Sequence, residues 1–472
     1  MDKKSSFVKG VLIFGLILGL QLDILAANYV VTSSADGTNI HTLRGAITAA
    51  ASNRAKNDTI ILVRDSYQVT SQSFFGDELT VTGGNLTIVG QGHSRVTITA
   101  AGLVHFFHVL PGAQLTLKNL TLEGGGDSYT NGSPSGGILS PIGGILNEGT
   151  LSLPNYVFPS GGILNEGTLR LVNCDIRGNR VGNGSGIYGS TDANGAGIYN
   201  SGSLTMHNSV VANNFCFSQF GYRGGTGGSG GGIYNAGILT ADNCVISNNF
   251  SGAGADFLLF FGGTPGSAGG NGGGIYNGGS MILNNCDVVD NFAGNGGVGI
   301  NGVPFGAFAH DGGTGGSGGG IYNAGSLTLK HCIIGGNSCG NGGSGSDSHG
   351  LKSDGVGGDG GNGGAGGSGG GIFNADGSSV TSYNCLFALN QFGIGGSGGA
   401  GFPAGTGNNT AGADGNAGAV GFGPDLFGNF ISTGHNLVRE GDDSTGFTNG
   451  VRHDIVGTIA APANPLQFKF HR

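Results

Sequence analysis

The sequence has no tryptophan, 3 methionines and few charges: 19 Lys and Arg with 28 Asp and Glu, 10% of 472 residues. The charges are scattered, and no basic patch with interleaved aromatics occurs, which excludes nucleic acid as a partner. The lack of tryptophan weakens the case for a saccharide-stacking platform. Cysteine is sparse too, at 7 residues, with neither a CxxC pair nor paired histidines, so no metal or redox cofactor is indicated. After residue 20 no apolar run is long enough to span a membrane. Acids do not cluster either. Asp175, Asp242, Asp287 and Asp290 stand singly, Asp442-Asp443 lies in the tail, and His331, Arg170 and Arg177 have no evident partners. On these grounds no catalytic, cofactor-binding or metal-ligating residue is assigned.

What the chain does have is glycine: 106 residues, beside a hydrophobic fraction of 37%. That fraction implies a core, with glycine in the turns and loops around it. Lys3, Lys4 and Lys9, the apolar run Val11 to Leu20 and the small-residue exit at Ala26 and Ala27 read as a secretory signal over residues 1–27. An uncleaved anchor is the other reading, since Asp23 and Leu25 make the exit imperfect.

One unit recurs: Gly-Gly-Ile-(Tyr, Phe or Leu)-Asn-x-Gly, a Leu-Thr-Leu-like alternation, then Asn-Cys-x-Ile-x-x-Asn. Its first Asn falls at Asn147, Asn165, Asn200, Asn235, Asn277, Asn323 and Asn374, at intervals that grow from 18 to 51 residues. Inside the unit nothing grows. Asn165 and Cys174, Asn235 and Cys244, Asn277 and Cys286, and Asn323 and Cys332 are each nine apart. A constant unit with variable insertions is one solenoid turn plus a loop on one face. Short alternating runs such as Ile238–Ala241 supply strands, and glycine at about 1 kcal/mol each argues against helices. An 18-residue step also fits a left-handed hexapeptide helix, but the strict six-residue apolar beat is missing.

Residues 28–126 differ. Thr42 to Ala50 is an amphipathic helix, placed to cap the first coil. Strand-like runs follow at Thr59–Val63, Leu79–Val81, Leu86–Val89, Val96–Thr99, Phe106–Val109 and Leu115–Leu122. Residues 127–430 are the glycine-rich repeats and 431–472 a C-terminal segment. The expected fold is therefore all-β, a right-handed parallel β-helix with an N-terminal capping helix and glycine-rich insertions.

The segment Val30-Val31-Thr32, Asp36, Thr42-Leu43-Arg44, Ala46-Ile47 and Asp58-Thr59-Ile60 resembles the CSLREA-type N-terminal region of bacterial secreted β-helix proteins. The match continues through Leu86-Thr87-Ile88-Val89-Gly90-Gln91-Gly92, Leu115-Thr116-Leu117 and Leu120-Thr121-Leu122. It resumes at Gly434-His435-Asn436-Leu437, Gly457-Thr458 and Asn464-Pro465-Leu466. Two departures stand out. Ala50 and Ala51 occupy positions where the family usually has Asn, and Arg472 ends a chain that relatives extend. The Gly-Gly-Ile repeats are also similar to the passengers of chlamydial polymorphic membrane proteins, without their membrane barrel. The resemblance implies architecture and leaves chemistry open.

Several side-chain ladders are expected. Cys174, Cys244, Cys286, Cys332 and Cys385 share one position, with Ser209 in another turn, and read as buried thiols. Cys216 and Cys339 share a second offset three turns apart, too far to bridge, so all seven cysteines should be free. Tyr199, Tyr234, Tyr276 and Tyr322 should point outward, either stacking on sugar rings or packing under loops. Gly342–Gly350 echoes a calcium-binding nonapeptide, but with His349 where an apolar residue belongs. The runs Gly224–Gly232, Gly312–Gly320 and Gly357–Gly371 are either solvated loops or side-by-side helices of three residues per turn. They are not phosphate loops, since no Lys-Ser/Thr and helix follow.

The expected function is that of a secreted or cell-surface, non-enzymatic protein, adhesin-like, with no membrane span after signal cleavage and monomeric. Its partner would be a host or matrix protein or a polysaccharide. The alternative is a polysaccharide lyase or glycosidase, with acids converging from different turns.

Overall fold

The computed structural model describes residues 26–53, 57–70, 79–92, 94–101, 106–109, 111–124, 163–181, 194–217, 225–255, 264–301, 309–352, 356–404 and 410–468. Residues 1–25 of the signal-like leader, Asn147 and Gly224 lie outside them.

One turn illustrates the fold. Ile275–Asn277, Ser280–Asn284 and Asp287–Val289 lie in three different sheets, here C, A and B. Each pairs in parallel with its counterpart in the next turn: Ile275 with Ile321, Ser280 with Ser326, Asp287 with Ile333. Repetition builds sheets of 11, 10 and 11 strands. The chain is a right-handed parallel β-helix, the hand that parallel crossovers take.

Alternation sets which residues face in. Ile198, Ile233, Ile275, Ile321 and Ile372 line the inside of sheet C, each fully buried. Leu283 and Leu329 in sheet A, and Ile246, Val288 and Ile334 in sheet B, complete the core. Where sheet A supplies the small Ser382, sheet B answers with the larger Phe387, both fully buried, so part of the lost volume is filled.

The corner from sheet A to sheet B needs one residue in the left-handed region. Asn119, Asn173, Asn208, Asn243, Asn285, His331, Asn384 and His435 supply it, with φ between 49° and 60°. Asparagine tolerates this conformation best among non-glycine residues. The recurrent Asn-Cys dipeptide is thereby explained: Asn makes the corner and Cys turns inward. At Asn119 the same corner splits the run expected over Leu115–Leu122 into Gln114–Lys118 and Leu120–Glu123, on two sheets.

The helix Leu43–Asn53 packs on Asn28–Val31, Asn57–Leu62 and Leu79–Val81. The Thr42 hydroxyl accepts the Gly45 N–H at 3.2 Å, the bond of an N-cap residue. Arg44 pairs with Asp36 at 2.7 Å. Leu43, Ala46, Ile47 and Ala50 close the apolar end of the first coil. Two strands absent from the expected set, Asn28–Val31 and Ser66–Thr70, begin sheets A and B.

Two asparagine ladders run parallel to the axis. In the first, Asn165 Nδ2 donates to Asn200 Oδ1, and the relay passes through Asn235, Asn277 and Asn323 to Asn374 at 2.7–2.8 Å. In the second, Asn179, Asn214, Asn249, Asn291, Asn337 and Asn390 are joined at 2.8–2.9 Å and end on Asp425. The ladder position below Asn165 is held by Val109.

Candidate functional site

After the second asparagine ladder each turn leaves the solenoid at one corner, and it returns just before Gly-Gly-Ile. The outgoing segments are 251–255, 293–301, 339–352 and 392–404. The returning ones are 225–232, 264–274, 309–320, 356–371 and 410–423. They are not solvated loops. They form an ordered two-layer shelf, outgoing segments in one layer and returning segments in the other.

The two layers run antiparallel and are joined by a zigzag of backbone bonds. Gly252 N–H donates to Gly228 C=O, Gly270 to Gly252, Gly294 to Gly270, Gly316 to Gly294 and Gly340 to Gly316. Gly367 donates on to Gly340, Gly393 to Gly367 and Gly421 to Gly393, all at 2.7–3.0 Å. A parallel zigzag three residues further out includes Gly297, Gly313, Gly343, Gly364, Gly396 and Gly418. Within a layer, neighbours also pair in parallel: Gly342 to Ile394, Gly345 to Ser397, Gly363 to Asn416, Gly366 to Ala419. A period of three in hydrogen bonding and burial is that of a polyproline II-type helix.

Two glycines per triplet are needed because the backbones touch. A Cβ on Gly340 would lie 1.8 Å from the Gly294 oxygen, and one on Gly342 would lie 1.8 Å from that of Gly364. The third residue faces outward, and its type is also set by the neighbour. Asn295 Oδ1 accepts the Asn341 N–H, and Asn341 Oδ1 that of Ile394. In the other layer Asn271 Oδ1 accepts from Ser317 N–H, Ser317 Oγ from Ser368, and Ser368 Oγ from Phe422. Short Asn, Ser and Asp side chains therefore stand at the facing positions as acceptors for the next amide. Gly342–Gly350 is one such outgoing strand, and Asp347 Oδ1 there accepts the Ala400 N–H at 2.7 Å. Its carboxylate serves the shelf as an acceptor for the next strand.

The aromatic ladder extends beyond the four tyrosines to six stacked rings: Tyr199, Tyr234, Tyr276, Tyr322, Phe373 and Phe427. Ring centroids are 4.7–5.1 Å apart and the planes within 11° of parallel. Inside the stack each face is covered by the next ring, so only edges point outward. A sugar ring needs a free face, and the interior of the ladder offers none.

All seven cysteines are buried and free. Burial pushes the Cys174 thiol up to about 11 and those of Cys216 and Cys339 up to about 12. The adjoining Cys244 thiol, with burial, raises Cys286 as well. With their thiols raised and enclosed, Cys174, Cys216, Cys286 and Cys339 are packing residues and poor nucleophiles.

The buried acids are tied into structure. Asp175 is held by Arg95 at 3.3 Å and by Arg177, which supplies the partner not evident for Arg177 in sequence. Asp425 accepts from Asn390 and from the Glu440 N–H, and burial lifts its carboxyl to about 6. Asp454 accepts from Ser432 and Asn436. His331 gains a neighbour as well, Asn384 at 2.6 Å, and its ring meets Tyr383 edge-on. His435 stacks on His453 at 4.7 Å beside the same Tyr383. No local pattern in sequence announces this ring cluster, because its members come from successive turns. Among the described residues no group of three His, Cys, Asp or Glu is placed to hold a metal ion. Nor, among them, is any helix long and apolar enough to cross a membrane.

No family model and no curated protein matches the chain. Among solved structures, pectate lyase Pel9A is similar at TM-score 0.36 and 12% identity, over 81% of this chain and 79% of its own. The A-module of mannuronan C-5 epimerase AlgE4 from Azotobacter vinelandii gives 0.36 and 12%, over 92% and 96%. ORF18 of Geobacillus virus E2 gives 0.35 and 11%, over 86% and 61%. Likenesses this distant bring no chemistry with them. By its own strand register and ladders, the chain is a parallel β-helix with a glycine-triplet shelf along one corner.

Proposed function

We propose that this is a secreted or cell-surface, non-enzymatic protein, of the CSLREA-type β-helix kind, that contacts a matrix protein or polysaccharide through its shelf. The observation that carries the reading is the shelf itself. Its outward positions repeat every third residue along a strand and recur on successive strands, on a backbone hydrogen-bonded within and between both layers up to its last edge. Such a surface is already ordered, so contact costs little conformational entropy. The facing side chains are short amides, hydroxyls and a few carboxylates, suited to many weak polar contacts in register. The buried acids support the same reading, being engaged as ladder ends and ion-pair partners.

The test is a glycan array with a matrix-protein panel, probed with the purified chain and with a Thr314→Lys/Ala419→Lys variant. Both sites are exposed facing positions of the returning layer. A ligand that binds the parent and is lost by at least tenfold from the equally stable variant is expected. Unchanged binding by the variant, or turnover of any arrayed polysaccharide, would overturn the proposal.

A further inference from the structure

The last returning strand, 410–423, departs from the triplet rule at one position only. In the returning strand before it, 356–371, both inner positions are glycine. One meets the preceding strand of its own layer, and the other meets the next strand of the opposite layer. A Cβ on Gly360 or Gly363 would lie 2.0 Å from the oxygen of Gly399 or Gly396. In 410–423 the second set is Ala411, Asp414, Ala417 and Val420, all exposed. The first set stays glycine: Gly412, Gly415, Gly418 and Gly421, with carbonyl oxygens 1.9–2.0 Å from the Cβ each would carry. The strand before, 392–404, keeps Gly395 and Gly398, because the Gly418 and Gly415 oxygens close to 1.9 and 2.0 Å of those positions. The exchange of glycine therefore falls on the one set with no strand beyond it.

Two independent features mark the same edge. Ser348 N–H donates to Ala400 C=O in the strand beyond it, but Gly401, its counterpart one turn later, has no strand beyond it. The Asp414 carboxylate accepts the Gly401 N–H instead, at 2.9 Å. Of the facing positions that elsewhere hold an acceptor for the next amide, Ile394, Ala400, Ala413, Ala419 and Phe422 here carry none, while Ser397 and Asn416 keep theirs. With no further amide to satisfy, the acceptor is dropped at most of them.

We infer that this edge is a built stop against strand addition by a second copy of the chain. The Gly395, Gly398, Ala411, Ala417 and Val420 N–H groups have no bonded partner among the described residues and would template another triplet strand. The partner copy's own last strand offers the Gly415, Gly418 and Gly421 carbonyls, to which no N–H of the described residues donates. Side chains at Ala411, Asp414, Ala417 and Val420 occupy the space its carbonyls would need. This inference concerns the end of the shelf and is independent of what the shelf's faces bind.

The test replaces Ala411, Asp414, Ala417 and Val420 by glycine and measures molar mass by light scattering over a concentration series, with circular dichroism as the folding check. The parent is expected to stay monomeric and the variant to double in mass or grow further as concentration rises. A control with Ala413→Gly and Ala419→Gly, on the facing positions, should remain monomeric. Should the fourfold variant not fold, Ala417→Gly/Val420→Gly, which retains Asp414, is expected to associate more weakly but measurably. A folded glycine variant that stays monomeric overturns the inference. So does a parent that self-associates and is dispersed by Asp414→Lys. Neither readout involves a ligand, so failure here leaves the binding proposal standing, and the reverse.

Discussion

Leu389 has φ of 64° at the corner before the second asparagine ladder, where equivalent turns carry Gly178, Asn213, Asn248, Asp290 and Gly336. A leucine there is strained by about 1–2 kcal/mol, and at 60% exposure it has little packing to lose. Leu389→Asn is expected to raise stability by about 1 kcal/mol, read from the denaturation midpoint. Asp425 has the opposite interest. Its carboxyl, lifted by burial to about 6, binds a proton in the folded state at pH values where the unfolded chain has released it. Stability from this group is full below about pH 4, falls as pH rises towards 6, and is lost above it, by about 2–3 kcal/mol. Asp425→Asn should flatten that part of the stability–pH profile, compared with the parent between pH 4 and pH 7. The corner asparagines are legible in sequence because Asn in Asn-Cys is itself a turn signal. Leu389 is not, since nothing about leucine announces a left-handed residue.

At the scale of elements, the solenoid turn was readable because its spacing is constant: Asn to Cys at nine residues whatever the insertion. The shelf was only half readable. Three-residue periodicity suggested extended helices packed side by side. Which of the two glycines meets which neighbour depends on the phase between outgoing and returning strands, and that phase is set by the turns joining them. The close approach gives a direct check. Gly343→Ala would place a Cβ 1.9 Å from the Gly297 oxygen, so it is expected to cost about 1–3 kcal/mol or more. Its neighbour Ser344→Ala, on the facing position, should stay within about 0.5 kcal/mol. Thermal midpoints of the two variants, with amide exchange along 339–349, would separate a packed layer from a solvated one. Equal midpoints and rapid exchange in the parent would contradict it.

For the whole molecule, the right-handed β-helix with its capping helix follows from repeat, alternation and the amphipathic segment at Thr42. Less legible were the joins. Asn147 suggested a seventh ladder member, whereas the position beneath Asn165 belongs to Val109, a pairing across residues remote in sequence. The zigzag shelf has a consequence of another kind. Its inter-strand bonds, like those of the three sheets, run along the solenoid axis, one set per turn. Pulled end to end, the molecule loads these sets in series, so it should peel turn by turn from whichever end yields first. Pulled sideways by a partner held on the shelf, it loads a row of bonds at once in shear. Built in this way, the protein is mechanically anisotropic: compliant along its length and stiff across the face proposed to hold its partner.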